Sequence, residues 1–138
     1  MSSGLPTAEP RPTVENHPYW EGTAQGRLVL PRCTACGTVI WYPRAFCSSC
    51  RGTDVEWFEA SGRGTIYSFT ISHRGQGPWR DVAPYVVAYV ELEEGPRVLT
   101  NVVGCDPDEV KVAQPVEAVF EPAGEYALLR FAPAGTTS

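Results

Sequence analysis

Two C-x-x-C pairs carry the clearest chemistry in this 138-residue chain, Cys33-Thr34-Ala35-Cys36-Gly37 and Cys47-Ser48-Ser49-Cys50-Arg51-Gly52, with ten residues between them. Two residues between cysteines let one tight turn aim both sulfurs at the same ion. A hairpin between the pairs brings the second turn opposite the first, which completes a tetrahedral set of four. The glycine after each pair suits a backbone that curls round a sulfur at positive φ. Four thiolates fill the coordination sphere and leave no place for a catalytic water, so Cys33, Cys36, Cys47 and Cys50 are expected to hold a structural metal. Zinc is the expected ion, and the same cage accepts iron. The competing readings are a redox pair, which needs a βαβ context missing here, and two disulfides, which need an oxidising compartment.

The other reactive side chains lack partners in the sequence. Cys105 stands alone at the end of a β-rich run and reads as a small buried hydrophobe. His17 and His73, the only histidines, have no spacing that joins them to the cysteines. Without G-x-S-x-G, H-E-x-x-H or G-x-x-x-x-G-K-[ST], no intrinsic active site is expected. Surfaces remain. Arg74, Trp79 and Arg80 share one glycine-rich stretch, a composition suited to docking a partner through planar guanidinium groups and a rigid ring. The plainer alternative is a solvated loop whose Trp79 folds back on the core. Tyr19, Trp20, Trp41 and Tyr42 flank the cysteine module and are expected to cover it, since a small metal module has little core of its own; the alternative is a contact surface.

These residues need a scaffold, and composition points to a β-rich one. Thirteen glycines and thirteen prolines mean many turns and few long helices. Residues 1–13 hold three prolines and little to bury, and read as a disordered arm. Residues 14–26 read as a short helix with Asn16 as N-cap, Pro18 in the first turn and Gly26 at its end. Residues 27–54 form the metal ribbon, in which Leu28–Arg32 and Thr38–Tyr42 make a hairpin. From 55 to 132, six runs read as strands of a small closed barrel: Val55–Glu59, Gly64–His73, Tyr85–Glu91, Arg97–Val103, Val116–Glu121 and Tyr126–Phe131. Ser61-Gly62-Arg63-Gly64 and Glu94-Gly95-Pro96 supply the joints, Arg74–Pro84 is an exposed loop, and Asp106 caps a single helical turn. A flexible tail is expected over 133–138.

Charge and hydropathy narrow the partners. Net charge is −5, Lys111 is the only lysine, and the barrel runs carry Glu91, Glu93, Glu94, Glu117, Glu121 and Glu125, so a phosphate backbone is a disfavoured ligand. The longest apolar run, Tyr85–Val90, is far short of a bilayer span, and residues 1–12 lack the pattern of a secretory signal; a cytoplasmic protein is expected.

Taken together, Tyr19-Trp20-Glu21-Gly22, the two cysteine pairs, Tyr42-Pro43-Arg44 and Ser61-Gly62-Arg63-Gly64-Thr65-Ile66-Tyr67-Ser68-Phe69-Thr70 resemble one family over about residues 14–132. It is the acyl-CoA-associated OB-fold proteins with a rubredoxin-like zinc ribbon. The resemblance implies a mainly β chain with a short N-terminal helix and zinc ribbon before a small OB-fold barrel. It also implies an accessory role beside a thiolase-fold enzyme: first a lipid-transfer-protein aldolase that shortens steroid side chains as acyl-CoA thioesters, in a twofold assembly with one small subunit per protomer. Second comes a scaffold for acyl-CoA thiolase and synthase. A single-stranded nucleic-acid module is the competing class, because OB barrels and zinc ribbons also occur there.

Overall fold

The structure is a computed structural model, described over residues 4–44, 46–47 and 50–134. Helix α1, His17–Ala24, carries Pro18 in its first turn, where a missing amide costs no hydrogen bond. Asn16 stands at its N-cap, but the Asn16 Oδ1 accepts from the upstream Thr13 amide at 2.7 Å and not from the helix. The helix stops at Gly26, at φ +72°, whose amide reaches the Thr23 carbonyl at 3.0 Å. Gly22 has no side chain for a steric reason: a Cβ there would lie 2.7 Å from Val29 Cγ2, so its absence lets α1 lie against the next strand.

Strands β1, Val29–Cys33, and β2, Val55–Glu59, pair antiparallel from Val29↔Glu59 to Cys33↔Val55. This corrects two sequence expectations. The Thr38–Tyr42 run was to form the hairpin with β1, yet it makes one bridge only, Arg32↔Val39. Cys33 N donates to Thr38 O and Ile40 N donates to Pro31 O, each at 2.9 Å, but Pro31 has no amide to return the bond and the ladder ends there. Val55–Glu59 was to be the first barrel strand and instead supplies the ribbon's second strand.

The barrel therefore has five strands, not six: β3 Arg63–Ser72, β4 Tyr85–Leu92, β5 Arg97–Val102, β6 Pro115–Ala123 and β7 Tyr126–Pro133. They close in the order β3-β4-β5-β7-β6, the OB arrangement that the resemblance implied. A bulge between Ile66 and Ser68 bends β3. Inside, Ile66, Val86, Ala88, Val90, Val98, Val116 and Phe131 are buried in one cluster.

Two seams complete the ring, and each has its own chemistry. Strands β3 and β6 meet at Arg63↔Glu117, Gly64↔Val116 and Thr65↔Pro115. The parallel seam between β5 and β7 has a single backbone pair, Val102↔Phe131, and polar side chains do the rest. Thr100 Oγ1 donates to the Leu129 carbonyl at 3.2 Å, and Asn101 Oδ1 accepts from Arg130 Nη1 at 2.7 Å. Arg130 is buried beside Glu121, 3.2 Å away, and its Nη2 donates to the Pro6 carbonyl at 2.9 Å. The arm thus has no helix or strand over 4–13, as its composition suggests, yet it lies along the barrel, with Glu9 against Gly124. Residues 1–3 of the arm and 135–138 of the expected tail lie outside the described residues, and Pro133 still belongs to β7.

Asp106 caps its single 3-10 turn, Pro107–Glu109: the Asp108 amide donates to it at 3.3 Å and Glu109 Oε1 accepts from the Asp106 amide at 3.2 Å. At Gly64 strands β3 and β4 approach closely, since a Cβ there would lie 2.6 Å from the Glu91 carbonyl oxygen of β4. Backbone cannot yield as a flexible side chain does, so Gly64→Ala is expected to cost about 3 kcal/mol of unfolding free energy, measured by urea denaturation of the metal-loaded chain.

Candidate metal centre

The two cysteine turns repeat one another bond for bond. In the first, Cys33 N donates to Thr38 O at 2.9 Å and Gly37 N to Cys33 O at 2.8 Å. In the second, Cys47 N donates to Gly52 O at 2.8 Å and Arg51 N to Cys47 O at 2.7 Å. Gly37 and Arg51 therefore occupy equivalent positions, and both are left-handed, at φ +78° and +64°. Glycine was expected to provide that conformation in both turns. In the second it falls to Arg51, while Gly52 makes room, because a Cβ there would lie 3.3 Å from Cys50 Sγ and 3.6 Å from Cys33 Sγ.

These turns bring all four predicted sulfurs within 4.8 Å of one another. Cys33 and Cys50 are 3.5 Å apart, and Cys36 and Cys47 are 3.6 Å apart. A disulfide bond is about 2.05 Å long, so the four are free thiols. A tetrahedron with metal–sulfur bonds of about 2.3 Å has edges of about 3.8 Å, which this spacing matches. Cys33 and Cys47 are buried and Cys36 and Cys50 exposed, so one side of the cage is packed and the other faces solvent. Soft donors at these distances fit a thiophilic ion, and four of them close the site to substrate.

Electrostatics argue the same way. Cys36 Sγ lies 3.1 Å from Thr38 Oγ1; with the sulfur ionised the hydroxyl donates to it, and this bond and the Thr38 backbone pull the thiol down to about 6. At Cys50 the Gly52 backbone pulls the same way, but the neighbouring sulfurs of Cys33 and Cys36 together with burial outweigh it and push the thiol up to about 12. Four thiolates cannot share this space unless a cation sits among them.

Close to the cage the ribbon buries little of its own, while Leu28 and Leu30 join the barrel's core. Its buried cluster is Cys33, Ile40 and Cys47, with Val55 packed against them. Around it the four flanking aromatics stitch the modules together: the Tyr19 ring lies 4.9 Å from Trp20, 5.6 Å from Trp41 and 6.0 Å from Tyr42, all edge-on, and Trp20 reaches Tyr126 of β7 at 6.4 Å. Burial raises the Tyr19 hydroxyl well above its ordinary range.

The remaining candidates stay apart from the cage. Cys105 is half-buried, and burial with nearby Glu109 and Asp106 raises its thiol, the opposite of an activated nucleophile. His17 pairs with Glu21 at 3.0 Å on the exposed side of α1, and His73 is exposed. In the Arg74–Pro84 loop a 3-10 turn, Gly77–Val82, brings Trp79 back to the barrel, 4.8 Å from Tyr85 and 5.9 Å from the Arg130 guanidinium, while Arg74 and Arg80 remain exposed. Thr38's bond to the sulfur escaped the sequence reading, and its place two residues beyond a C-x-x-C pair was the available signal; Gly52, expected at positive φ, instead makes room for the sulfurs.

Two family models divide the chain: the ChsH2 rubredoxin-like zinc ribbon domain matches residues 20–56 and the ChsH2 C-terminal OB-fold domain residues 57–121. This chain belongs to the ChsH2 family. A DUF35 domain-containing scaffold protein of Methanothermobacter thermautotrophicus is 41% identical over 71% of this chain and 74% of its own length. A probable enoyl-CoA hydratase alpha subunit of Thermomonospora curvata is 41% identical over 78% of this chain, which spans only 34% of that subunit. A solved ChsH2 relative, described as Ltp2-ChsH2(DUF35) aldolase, matches with a TM-score of 0.79 and 38% identity over 91% of this chain and 99% of that one. More distant relatives are a 3-oxo-4,17-pregnadiene-20-carboxyl-CoA hydratase alpha subunit of Mycobacterium tuberculosis, 33% identical over 83% of this chain and 36% of its own, and the benzoylsuccinyl-CoA thiolase subunit BbsA of Geobacter metallireducens, 32% identical over 66% and 60%.

Cys47→Ser is expected to abolish metal retention and leave the chain aggregated or protease-sensitive, as elemental analysis and limited proteolysis would record. Because the metal must displace protons from thiols, acidification favours release. Dialysis against a chelator should strip the ion faster at pH 5 than at pH 8. Arg51→Gly is expected to keep the metal with stability changed by less than about 1 kcal/mol, because glycine adopts positive φ without strain. Gly52→Val should speed loss to a chromogenic chelator about tenfold or more.

Proposed function

We propose that the ion in the cage is zinc and that the chain is a non-catalytic accessory subunit of a thiolase-fold retro-aldolase acting on a β-hydroxyacyl-CoA. The observation that carries this reading is the near-complete match, 99% of the matched chain, to the solved Ltp2-ChsH2(DUF35) aldolase. The metal site supports it from the chemical side, since four sulfurs leave no open position for substrate. The pregnadiene-carboxyl-CoA hydratase relative favours a steroid side chain as the acyl group. Free thiols in a metal cage suit a reducing cytoplasm.

In retro-aldol cleavage a base removes the β-hydroxyl proton, the Cα–Cβ bond breaks, and the electron pair passes to the thioester enolate. Protonation at Cα then releases a shorter acyl-CoA and a carbonyl compound. The large subunit supplies base, acid and oxyanion donors, and this chain shapes the channel for the CoA or acyl group. Its effect on rate comes through positioning. Thiolase-fold enzymes are commonly dimers, so a heterotetramer with one small subunit per protomer is the assembly this reading implies. A second reading, a scaffold for acyl-CoA thiolase or synthase, draws on the archaeal scaffold proteins and BbsA.

Expression of the thiolase-fold subunit with and without this chain, assayed for short acyl-CoA release, separates the possibilities. Activity of the large subunit alone is expected to fall by about a hundredfold or more. Full activity and solubility without this chain would overturn the proposal, and acceleration of condensation in place of cleavage would favour the scaffold. Labelled single-stranded oligonucleotides are expected to bind poorly; tight, salt-sensitive binding by fluorescence anisotropy would revive the nucleic-acid class.

A further inference from the structure

The outer surface of the barrel has two unlike halves. Over β6 and β7 the chain covers itself: Thr23 Oγ1 of α1 accepts from the Ala127 amide at 3.2 Å, Trp20 packs on Tyr126, and the arm crosses at Pro6 and Glu9. Over β3, β4 and β5 large side chains stand in solvent. Seven large hydrophobic residues are exposed among the described residues, and three of them, Tyr67 (49%), Tyr89 (46%) and Leu99 (56%), belong to this half.

Register makes the three one patch. Tyr89 lies directly across from Leu99 on β5 and from Ser68 on β3. The β3 bulge puts two residues, Tyr67 and Ser68, between inward-facing Ile66 and Phe69, so it adds one outward ring that regular alternation would not provide. Toward the Trp79 loop the patch runs into a shallow cleft of about 300 Å³ lined by Trp79, Tyr85, Val87, Leu99 and Asn101. The charges on the strands themselves are paired: Arg97 lies 3.8 Å over the Tyr67 ring and pairs with Glu91 at 3.2 Å, and Arg63 pairs with Glu93 at 2.9 Å, while Arg74 and Arg80 of the neighbouring loop stay exposed.

We infer that the β3–β4–β5 face, Tyr67, Tyr89 and Leu99 with the Trp79 cleft, is the surface that docks the thiolase-fold subunit. The inference rests on the accessory-subunit reading above and adds the place of contact. Paired charges along the strands and a row of exposed aromatic and aliphatic side chains suit an apolar protein surface better than a phosphate backbone. A rigid aromatic row beside a cleft is where protein interfaces concentrate their energy, with the cleft receiving a protruding side chain from the partner. A separate enzyme subunit is the occupant, and not a second copy, because the matched solved aldolase names a second component beside the ChsH2 fold. Of the loop residues singled out in the sequence, Trp79 belongs to this face as the wall of its cleft.

The test co-expresses the full chain with the thiolase-fold subunit of the same genome and measures the complex by light scattering after size exclusion and by titration calorimetry. Leu99→Glu is expected to weaken association about thirtyfold or more while circular dichroism and Tm stay unchanged, Leu99 being half exposed. Tyr89→Ala, a milder change, serves if Leu99→Glu lowers Tm. Val14→Glu, at a residue 97% exposed and just before α1, is expected to leave binding intact. Wild-type affinity in both Leu99→Glu and Tyr89→Ala would overturn the assignment of the face and leave the accessory-subunit reading standing. A wild-type chain that never binds the subunit would overturn both. A self-associated wild-type chain made monomeric by Leu99→Glu would assign the face to a second copy and overturn the inference.

Discussion

Four sulfurs within 4.8 Å of one another can be ionised together only around a cation, and the ribbon is organised by that constraint. Its own apolar cluster amounts to Ile40 and two of the ligating cysteines, with Val55 alongside. With so little buried at its centre, the ribbon's backbone is shaped around the four sulfurs positioned to hold a metal. Both turns adopt the same hydrogen-bond pattern, and each places one residue at positive φ. Cys33 ends β1 and pairs with Val55 at the start of β2, so the cage also fixes the two-stranded sheet on which the rest of the ribbon hangs.

From there the order passes to the barrel through aromatic contacts. Tyr19 touches α1 and ribbon neighbours at once, and Trp20 carries the contact to β7. The barrel's buried cluster runs from Ile66 to Phe131 and also takes in Tyr19 of α1 and Leu28 and Leu30 of the ribbon, so it shares one core with them. The barrel contains a costly element all the same. Burying the Arg130–Glu121 pair is tolerable because Asn101 and the Pro6 carbonyl satisfy the rest of the guanidinium, and in return the pair binds a seam that has one backbone pair of its own.

Much of this was legible in the sequence. Cysteines positioned to bind a metal declare themselves by spacing, and the five barrel strands fall within two residues of their expected ends because alternation and glycine punctuation are local signals. The partner of a strand is not local. Val55–Glu59 has the same look whether it joins the barrel or the ribbon, and the missing amide of Pro31 settles the matter only once Thr38–Tyr42 is seen trying to pair there. Likewise, Gly52 and Gly37 look alike as letters, but one is small to spare the sulfurs and the other to permit its backbone angle. The Tyr67–Tyr89–Leu99 row depends on a bulge and on cross-strand register, which sequence alone does not display. The Arg130 network joins residues more than a hundred positions apart in the chain.

Ring closure has a consequence for how such a protein evolves. A sheet with free edges recruits other chains through its backbone, and backbone hydrogen bonds read almost any sequence. In this barrel every strand has neighbours on both sides, and the main chain has little edge to lend beyond the short seams β3–β6 and β5–β7. Whatever the barrel recognises must be recognised by side chains that point outward, and those can be exchanged one at a time without disturbing a single rung of the ladder. Selectivity for a new enzyme is then a matter of repainting a face while the cylinder beneath it stays as it was.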